Sequence, residues 1–298
     1  MLRLVSIALV LLGVVGGTFL DSPRDVPPAE RGEYKIVEAD FHIHSHLGDG
    51  ILSPFGLVLH ARRQGLHAIA ITDHNQIVAA KWARWFSNLI GGPTVLVGEE
   101  ITAPGFHMIA VGLNNRVSWR QSASEAIQEI HRQGGVAIAG HPARKFWPAY
   151  DDNVLSKLDG AEVMHPAAYT SGERGAEFRD FYRGAEAKGR SLTAIGSSDY
   201  HWFNSLGLSR TFVFVHNNDE REILQALREG RTVVYDAEGT GYGKSELVKL
   251  LEDEPLNRRV GDYDYSSSGP IDRVARTCGW LGLFGLVMFA RDKRRSSQ

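Results

Sequence analysis

Six short motifs in this chain end in imidazoles or carboxylates. They are Asp40-Phe41-His42-Ile43-His44 followed by Asp49-Gly50, then Thr72-Asp73-His74, Gly98-Glu99-Glu100, His107, Gly140-His141-Pro142 and Ser198-Asp199-Tyr200-His201. Residues two apart on an extended chain face the same side. His42 and His44 therefore project together, as do Asp199 and His201, and paired imidazoles of this kind suit one metal ion. Imidazole and carboxylate donors without thiolates fit zinc, manganese or iron. A lone buried histidine is more often a satisfied core residue, so no single motif carries this reading. It rests on the joint placement of six histidines (His42, His44, His74, His107, His141, His201) with Asp49, Glu100 and Asp199, nearly all at strand ends. His60 and His131 fall within helical stretches and His216 follows an apolar strand, so these three read as structural. His67 opens a strand at the wrong end.

The elements that must position these groups are legible as alternating runs. Apolar or β-branched segments occur at 36–44, 68–72, 94–101, 108–113, 136–139, 161–164, 192–195 and 211–215. Helical stretches lie between most of them. Ser53 is placed to cap a helix over Pro54–Gln64, Ser122 and Glu125 form a capping box, and Asp219 opens a helix over Glu220–Arg228. Strands alternating with helices imply an α/β fold with a mostly parallel sheet. In a barrel of such units the C-terminal strand ends share one mouth, where chemistry is built. Residues 236–277, rich in Gly, Asp, Tyr and Ser near their start, read as an irregular linker.

Composition and the chain ends narrow the choice. Hydrophobic residues make up 43% and charged residues 23%, which excludes a disordered or collagen-like chain. The one cysteine, Cys278, excludes an intrachain disulfide and any cysteine-based cluster. Residues 21–272 carry 34 acidic and 26 basic side chains, a net of −8, which is a poor match for long nucleic acid. Arg3 followed by the uncharged run Leu4–Leu20 reads as a signal peptide or membrane anchor over residues 1–20, with a linker at 21–33. At the other end, residues 278–298 hold a short apolar segment and a basic tail. Its thirteen apolar residues, 278–290, span about 20 Å as a helix against roughly 30 Å for a bilayer core. Basic residues beside both segments predict membrane association through the termini, with the catalytic domain exported or anchored outside the cytoplasm.

The motifs DFHIHSHLGDG, ITDHN, GEE, GHP and SSDYH, in that order with His107 between the third and fourth, resemble the polymerase and histidinol phosphatase (PHP) superfamily over about residues 34–235. The stretch ILQALREGRTVVYD is similar to the family's usual C-terminal end, and Gly48 stands where a Ser often precedes the Asp-Gly pair. The resemblance implies a distorted seven-stranded β/α barrel holding two to three divalent transition metal ions. It assigns His42, His44, Glu100 and Asp199 to the first, Glu100, His107 and His141 to the second, and Asp49, His74 and His201 to the third. Glu99 competes for the bridging role, but the G-x-E pattern favours Glu100, and adjacent strand residues cannot both face inward. Asp40 and Asp73 match recurring motif residues and are read as partners that orient imidazoles.

Such a centre implies a hydroxide nucleophile and clamped phosphoryl oxygens. The expected function is hydrolysis of phosphoester bonds in a small anionic, phosphorylated metabolite or nucleotide, with Glu100, Asp199 and His201 as catalytic residues. Arg144, Lys145, His165 and Arg210 are candidate substrate contacts. The alternatives are an ester or amide (carbamate-type) metallohydrolase and a non-catalytic metal-binding module. The complete ligand set argues against the latter.

Overall fold

The computed structural model describes residues 2–20, 27–166, 172–202, 205–254, 256 and 270–295. Its elements run α1 (Leu2–Leu20), β1 (Ala29–Arg31), β2 (Tyr34–Asp40), α2 (Pro54–Arg63), β3 (Ala68–Ile71), α3 (Val78–Ile90), β4 (Thr94–Ala103), β5 (Phe106–Val111), α4 (Ala123–Arg132) and β6 (Val136–Ala139). After a 3₁₀ turn at Arg144–Ala149 come α5 (Asp152–Leu155), β7 (Gly160–Met164), α6 (Gly172–Ala187), β8 (Thr193–Gly196), β9 (Thr211–Val215), α7 (Glu220–Arg228), β10 (Thr232–Tyr235), β11 (Gly241–Gly243), α8 (Ser245–Asp253) and α9 (Pro270–Arg295). Contacts divide the chain into two units, Asp25–Asp262 and a second made of Met1–Arg24 with Tyr263–Gln298.

In the larger unit one sheet follows the order β11-β10-β9-β2-β3-β4-β5-β6-β7-β8, with β1 added beside β2. The path nearly closes into a barrel. Thr232 Oγ1 donates to Ala194 O at 2.8 Å and Thr211 Oγ1 to Gly196 O at 2.8 Å, tying β10 and β9 to β8. This α/β barrel has ten strands on its path where the family resemblance implied seven. It is also mixed rather than mostly parallel. The pairs β2/β3, β3/β4, β6/β7 and β7/β8 are parallel. The pairs β2/β9, β9/β10, β10/β11, β4/β5 and β5/β6 are antiparallel. The physical reason is visible at Pro104-Gly105: two residues join β4 to β5, enough for a hairpin but far too few for a parallel crossover.

Two apolar layers hold this sheet. Its outer side packs Ile69, Ile71, Val95 and Val97 against Leu57, Val58, Ala80 and Ala83 of α2 and α3. Its inner side packs Val37, Leu96, Val111, Ile138 and Val213 against Ile223, Leu224 and Leu227 of α7, at the end where the parallel strands begin. That plug leaves the opposite end for polar groups. The expected caps are present. Ser53 Oγ accepts from Gly56 N–H at 2.9 Å, Ser122 and Glu125 form the reciprocal box, and Asp219 Oδ1 accepts from Glu222 N–H at 2.9 Å. The stretch expected to be irregular from 236 contains β11 and α8. Leu247 and Leu251 of α8 bury against Ile36, Phe212 and Phe214. Residues 257–269 of that stretch lie outside the described residues.

In the smaller unit α1 and α9 touch backbone to backbone. A Cβ on Gly13 would collide with Gly279, and one on Gly282 would stand 2.6 Å from Ser6 O. The expected membrane anchoring and export are overturned here: among the described residues no helix is long and apolar enough to cross a membrane. The two apolar segments instead cover part of each other, and the apolar run of α9 is bounded by Arg276 and Arg291.

Candidate metal centre

The predicted site residues gather at the mouth opposite α7: most sit at or just beyond a strand end, Glu100 lies three residues before the end of β4, and Asp49 lies in a turn nine residues after β2. His42 and His44 follow the last residue of β2, on an extended segment where Ile43 bridges Tyr200. Alternation still puts both imidazoles on one side, with ring centres 5.0 Å apart. His74 follows β3 and bridges Glu100 of β4. Glu100 and His107 lie on the β4–β5 hairpin, where Glu100 pairs with Ile109 and Thr102 with His107. His141 follows β6, and Asp199 and His201 follow β8. His141 and Asp199 hold positive φ angles of 26° and 42°, and Asn75 one of 54°. Non-glycine residues rarely adopt this conformation, and such strain gathers at functional sites.

Glu100 stands at the centre. Its Oε1 lies 2.6 Å from His107 Nδ1 and 3.0 Å from His141 Nε2. Its Oε2 lies 3.3 Å from His42 Nε2, 3.4 Å from His44 Nε2 and 2.9 Å from His74 Nδ1. Asp199 Oδ1 joins the second set, 3.2 Å from His42 Nε2 and 3.1 Å from His44 Nε2. Asp49 makes a third cluster, with Oδ2 3.3 Å from His74 Nε2 and 3.2 Å from His201 Nε2, and Oδ1 3.3 Å from His44 Nδ1. All nine residues are thus brought together. Glu99 faces away: its Oε1 accepts from Val117 N–H at 2.5 Å, and burial pushes its carboxyl up to about 7.

The donor set fits metal ions by a simple test. His42 Nε2, both ring nitrogens of His44, Glu100 Oε2 and Asp199 Oδ1 are buried, and none has a hydrogen-bond partner. Leaving so many buried polar atoms unpaired is costly unless something else satisfies them. A cation shared among their lone pairs would do so. Among the described residues four groups of side chains place one donor atom each within 4.8 Å of one another: His42/His44/Asp199, His42/Glu100/His141, His44/Asp49/His74/His201 and His42/Glu162/His165. The electrostatics agree. Burial alone would raise the carboxyls of Glu100 and Asp199, yet His42 and the neighbouring imidazoles outweigh it and hold both well below the usual carboxylate range. Burial would likewise lower His44, but Asp199 and Asp49 hold it up at about 9. Without metal the carboxylates draw protons onto His42, His44 and His141, and a divalent ion competes for the same lone pairs.

Among the supporting residues, Asp40 and Asp73 do not orient imidazoles as expected. Asp40 accepts from the backbone N–H groups of His42, Ser198 and Gly207 at 3.3, 3.1 and 2.8 Å. Asp73 accepts from Ser45 N–H at 2.5 Å and Ser45 Oγ at 2.6 Å. Both brace the backbone, and neither hydrogen-bonds an imidazole. The carboxylate that does is Glu162 of β7, which the sequence reading missed: its Oε1 lies 2.9 Å from His42 Nδ1. The available signal was one acid inside the apolar strand GAEVM. Among the candidate substrate contacts, Arg210 is buried and held by Glu38 and by the carbonyls of Gly207 and Gln64, so it is structural. Arg144 pairs with Asp180 at 3.6 Å. Lys145 Nζ lies 4.5 Å from the Phe146 ring centre, and that ring stacks on His107 at 4.8 Å, so its charge stays beside the mouth. His165 Nε2 lies 3.0 Å from Asp199 Oδ2.

Comparison with known proteins agrees with this architecture. Residues 184–232 match a family model described as PHP-associated. An uncharacterized protein of Methanocaldococcus jannaschii is 32% identical over 141 residues, 43% of this chain and 82% of the archaeal protein. A 5′-3′ exoribonuclease of Haemophilus influenzae is 25% identical over 135 residues, 44% of this chain and 49% of that enzyme. Among solved structures, a two-domain protein of Bacteroides vulgatus containing a predicted PHP-like metal-dependent phosphoesterase superposes with a TM-score of 0.60 at 22% identity, covering 78% of this chain and 73% of that one. At that identity the likeness is one of fold.

Proposed function

The chain belongs to the PHP superfamily, and from that premise we propose that it is a metal-dependent phosphoesterase acting on a small phosphorylated metabolite or nucleotide. The observation that carries the proposal is Glu100, one carboxylate whose two oxygens face two different sets of imidazoles. In this reading His42, His44, Glu100 and Asp199 hold one ion, Glu100, His107 and His141 a second, and Asp49, His74 and His201 a third. Bound divalent ions supply an acidified water and neutralise charge on a phosphoryl group.

The chain's own residues set the geometry. Glu100 is buried and the Oδ1 of Asp199 is shielded from solvent, so the two carboxylates fix the spacing of the inner donors. Asp49 and His201 stand at the open edge, with side chains 51% and 26% exposed, where an entering substrate meets them. His201 donates Nδ1–H to Asp199 O at 2.8 Å, which leaves Nε2 as the donor facing Asp49. Lys145, beside the mouth, gives a positive charge for a second anionic group of the substrate. The acidic body argues against long nucleic acid, while the exoribonuclease relative supports a nucleotide among the small substrates.

The deciding experiment is an activity panel on zinc-, manganese- and iron-loaded full-length protein, with phosphomonoesters, phosphodiesters and carboxyl esters compared at equal concentration. Phosphoester turnover that depends on metal is expected. Carboxyl-ester turnover exceeding it, or protein that takes up less than one ion per chain, would overturn the proposal.

A further inference from the structure

Strand β7 runs through the interior with every residue buried, yet it carries a carboxylate at Glu162. Desolvating an isolated carboxylate is expensive, so partners must converge on it. They come from three neighbouring segments. Oε1 lies 2.9 Å from His42 Nδ1, beyond β2, and also accepts from the hydroxyl of Ser197, beyond β8. Oε2 accepts from the backbone N–H of His141, beyond β6, at 2.5 Å.

We propose that Glu162 is a positioning residue shared by two metal clusters, fixing the imidazole of His42 for the first and the backbone of His141 for the second. The proposal rests on the metal-centre reading above. Each end of Glu162 has its own effect. An imidazole that donates Nδ1–H to a carboxylate presents Nε2 as a neutral, more basic donor. In His42 that atom is the one left without a hydrogen-bond partner, aimed at Glu100 and Asp199. His141 holds a φ of 26°, and the Oε2 bond anchors that strained residue so that Nε2 reaches Glu100 at 3.0 Å. Among the described residues no other acid in the centre does either task, since Asp40 and Asp73 spend their oxygens on Ser45, Gln76, Ser198 and backbone N–H groups. Glu162 also shares a donor cluster with His42 and His165. A metal ion there would need the lone pair of His42 Nδ1 in place of its proton, so the two arrangements predict opposite protonation of that nitrogen.

The test uses zinc-loaded full-length protein. In the wild type, nitrogen-detected NMR of labelled histidines should show His42 protonated at Nδ1 and zinc-bound at Nε2. Calorimetric zinc titration of metal-free Glu162→Gln should show two sites weakened together, each by about 10–100-fold, with far-UV circular dichroism unchanged. Ser197→Ala, which removes one bond to the same oxygen, should retain both sites. A His42 that binds zinc through Nδ1 overturns the proposal without any variant being needed. It is equally overturned if Glu162→Gln keeps wild-type zinc affinities, or if only one site weakens. Wild-type protein that binds no zinc, manganese or iron would overturn this proposal and the functional reading together. Normal wild-type binding with an unaffected Glu162→Gln would overturn this proposal alone.

Discussion

Glu99 and Glu100 are neighbours with opposite fates, and replacing Glu99 with glutamine measures the difference. Glu99 faces away from the imidazoles, is fully buried, and burial pushes its carboxyl from its ordinary 4.5 up to about 7. Below pH 4.5 the group is protonated in both the folded and unfolded chain and contributes no pH dependence. Between these two values the unfolded chain releases the proton while the folded chain keeps it, so unfolding becomes easier as pH rises. The slope approaches 1.4 kcal/mol per pH unit, and the accumulated loss by pH 8 is about 3 kcal/mol. Glu99→Gln stays neutral throughout and retains an acceptor for Val117 N–H. Its buried amide carries its own cost, but that cost is the same at every pH. Relative to wild type, Glu99→Gln should therefore gain about 2.5 kcal/mol between pH 5 and pH 8, or roughly 5–10 °C in melting temperature. Urea unfolding of the metal-free protein at both pH values reads this directly. A variant-to-wild-type difference that does not change with pH would refute the reasoning, and a difference of opposite sign would place Glu99 among the ion-paired carboxylates.

Glu100→Gln should lower zinc content at two sites together, because the substitution removes charge from both oxygens of the shared group. Elemental analysis showing loss at one site alone would contradict the bridge. Asp49→Ala should reduce phosphoester turnover on the order of 100-fold while leaving most bound metal in place, by analogy with removing one transition-state donor. Turnover and metal content falling in equal proportion would deny the third cluster its separate role. In the smaller unit Gly13→Leu would drive a side chain into the Gly279 backbone. Amide hydrogen exchange should quicken in both α1 and α9, and unchanged protection would show that their contact tolerates bulk.

Much of the centre was legible in the sequence because its information is local. His42 and His44 face one way by strand alternation alone. The same rule separates Glu99 from Glu100, and the fold honours both. The caps at Ser53, Ser122 and Asp219 are equally local, since each side chain bonds a backbone N–H three residues on. What required the tertiary structure were pairings across long separations. The number and direction of strands were misjudged because Pro104-Gly105 makes a hairpin between two runs that read like any other pair, and because α8 lies in a segment whose composition suggests a linker. Asp40 and Asp73 carry the motif, but whether a carboxylate meets an imidazole or a backbone N–H depends on which segment packs beside it. Glu162 is 120 residues from His42 and reaches it only because β7 is brought beside β6 and β8 in the sheet. For the terminal segments, hydropathy recorded how apolar each stretch is. That α1 and α9 meet along a line of glycines was decided by packing, because close approach depends on two side-chain surfaces at once and one sequence segment specifies only its own.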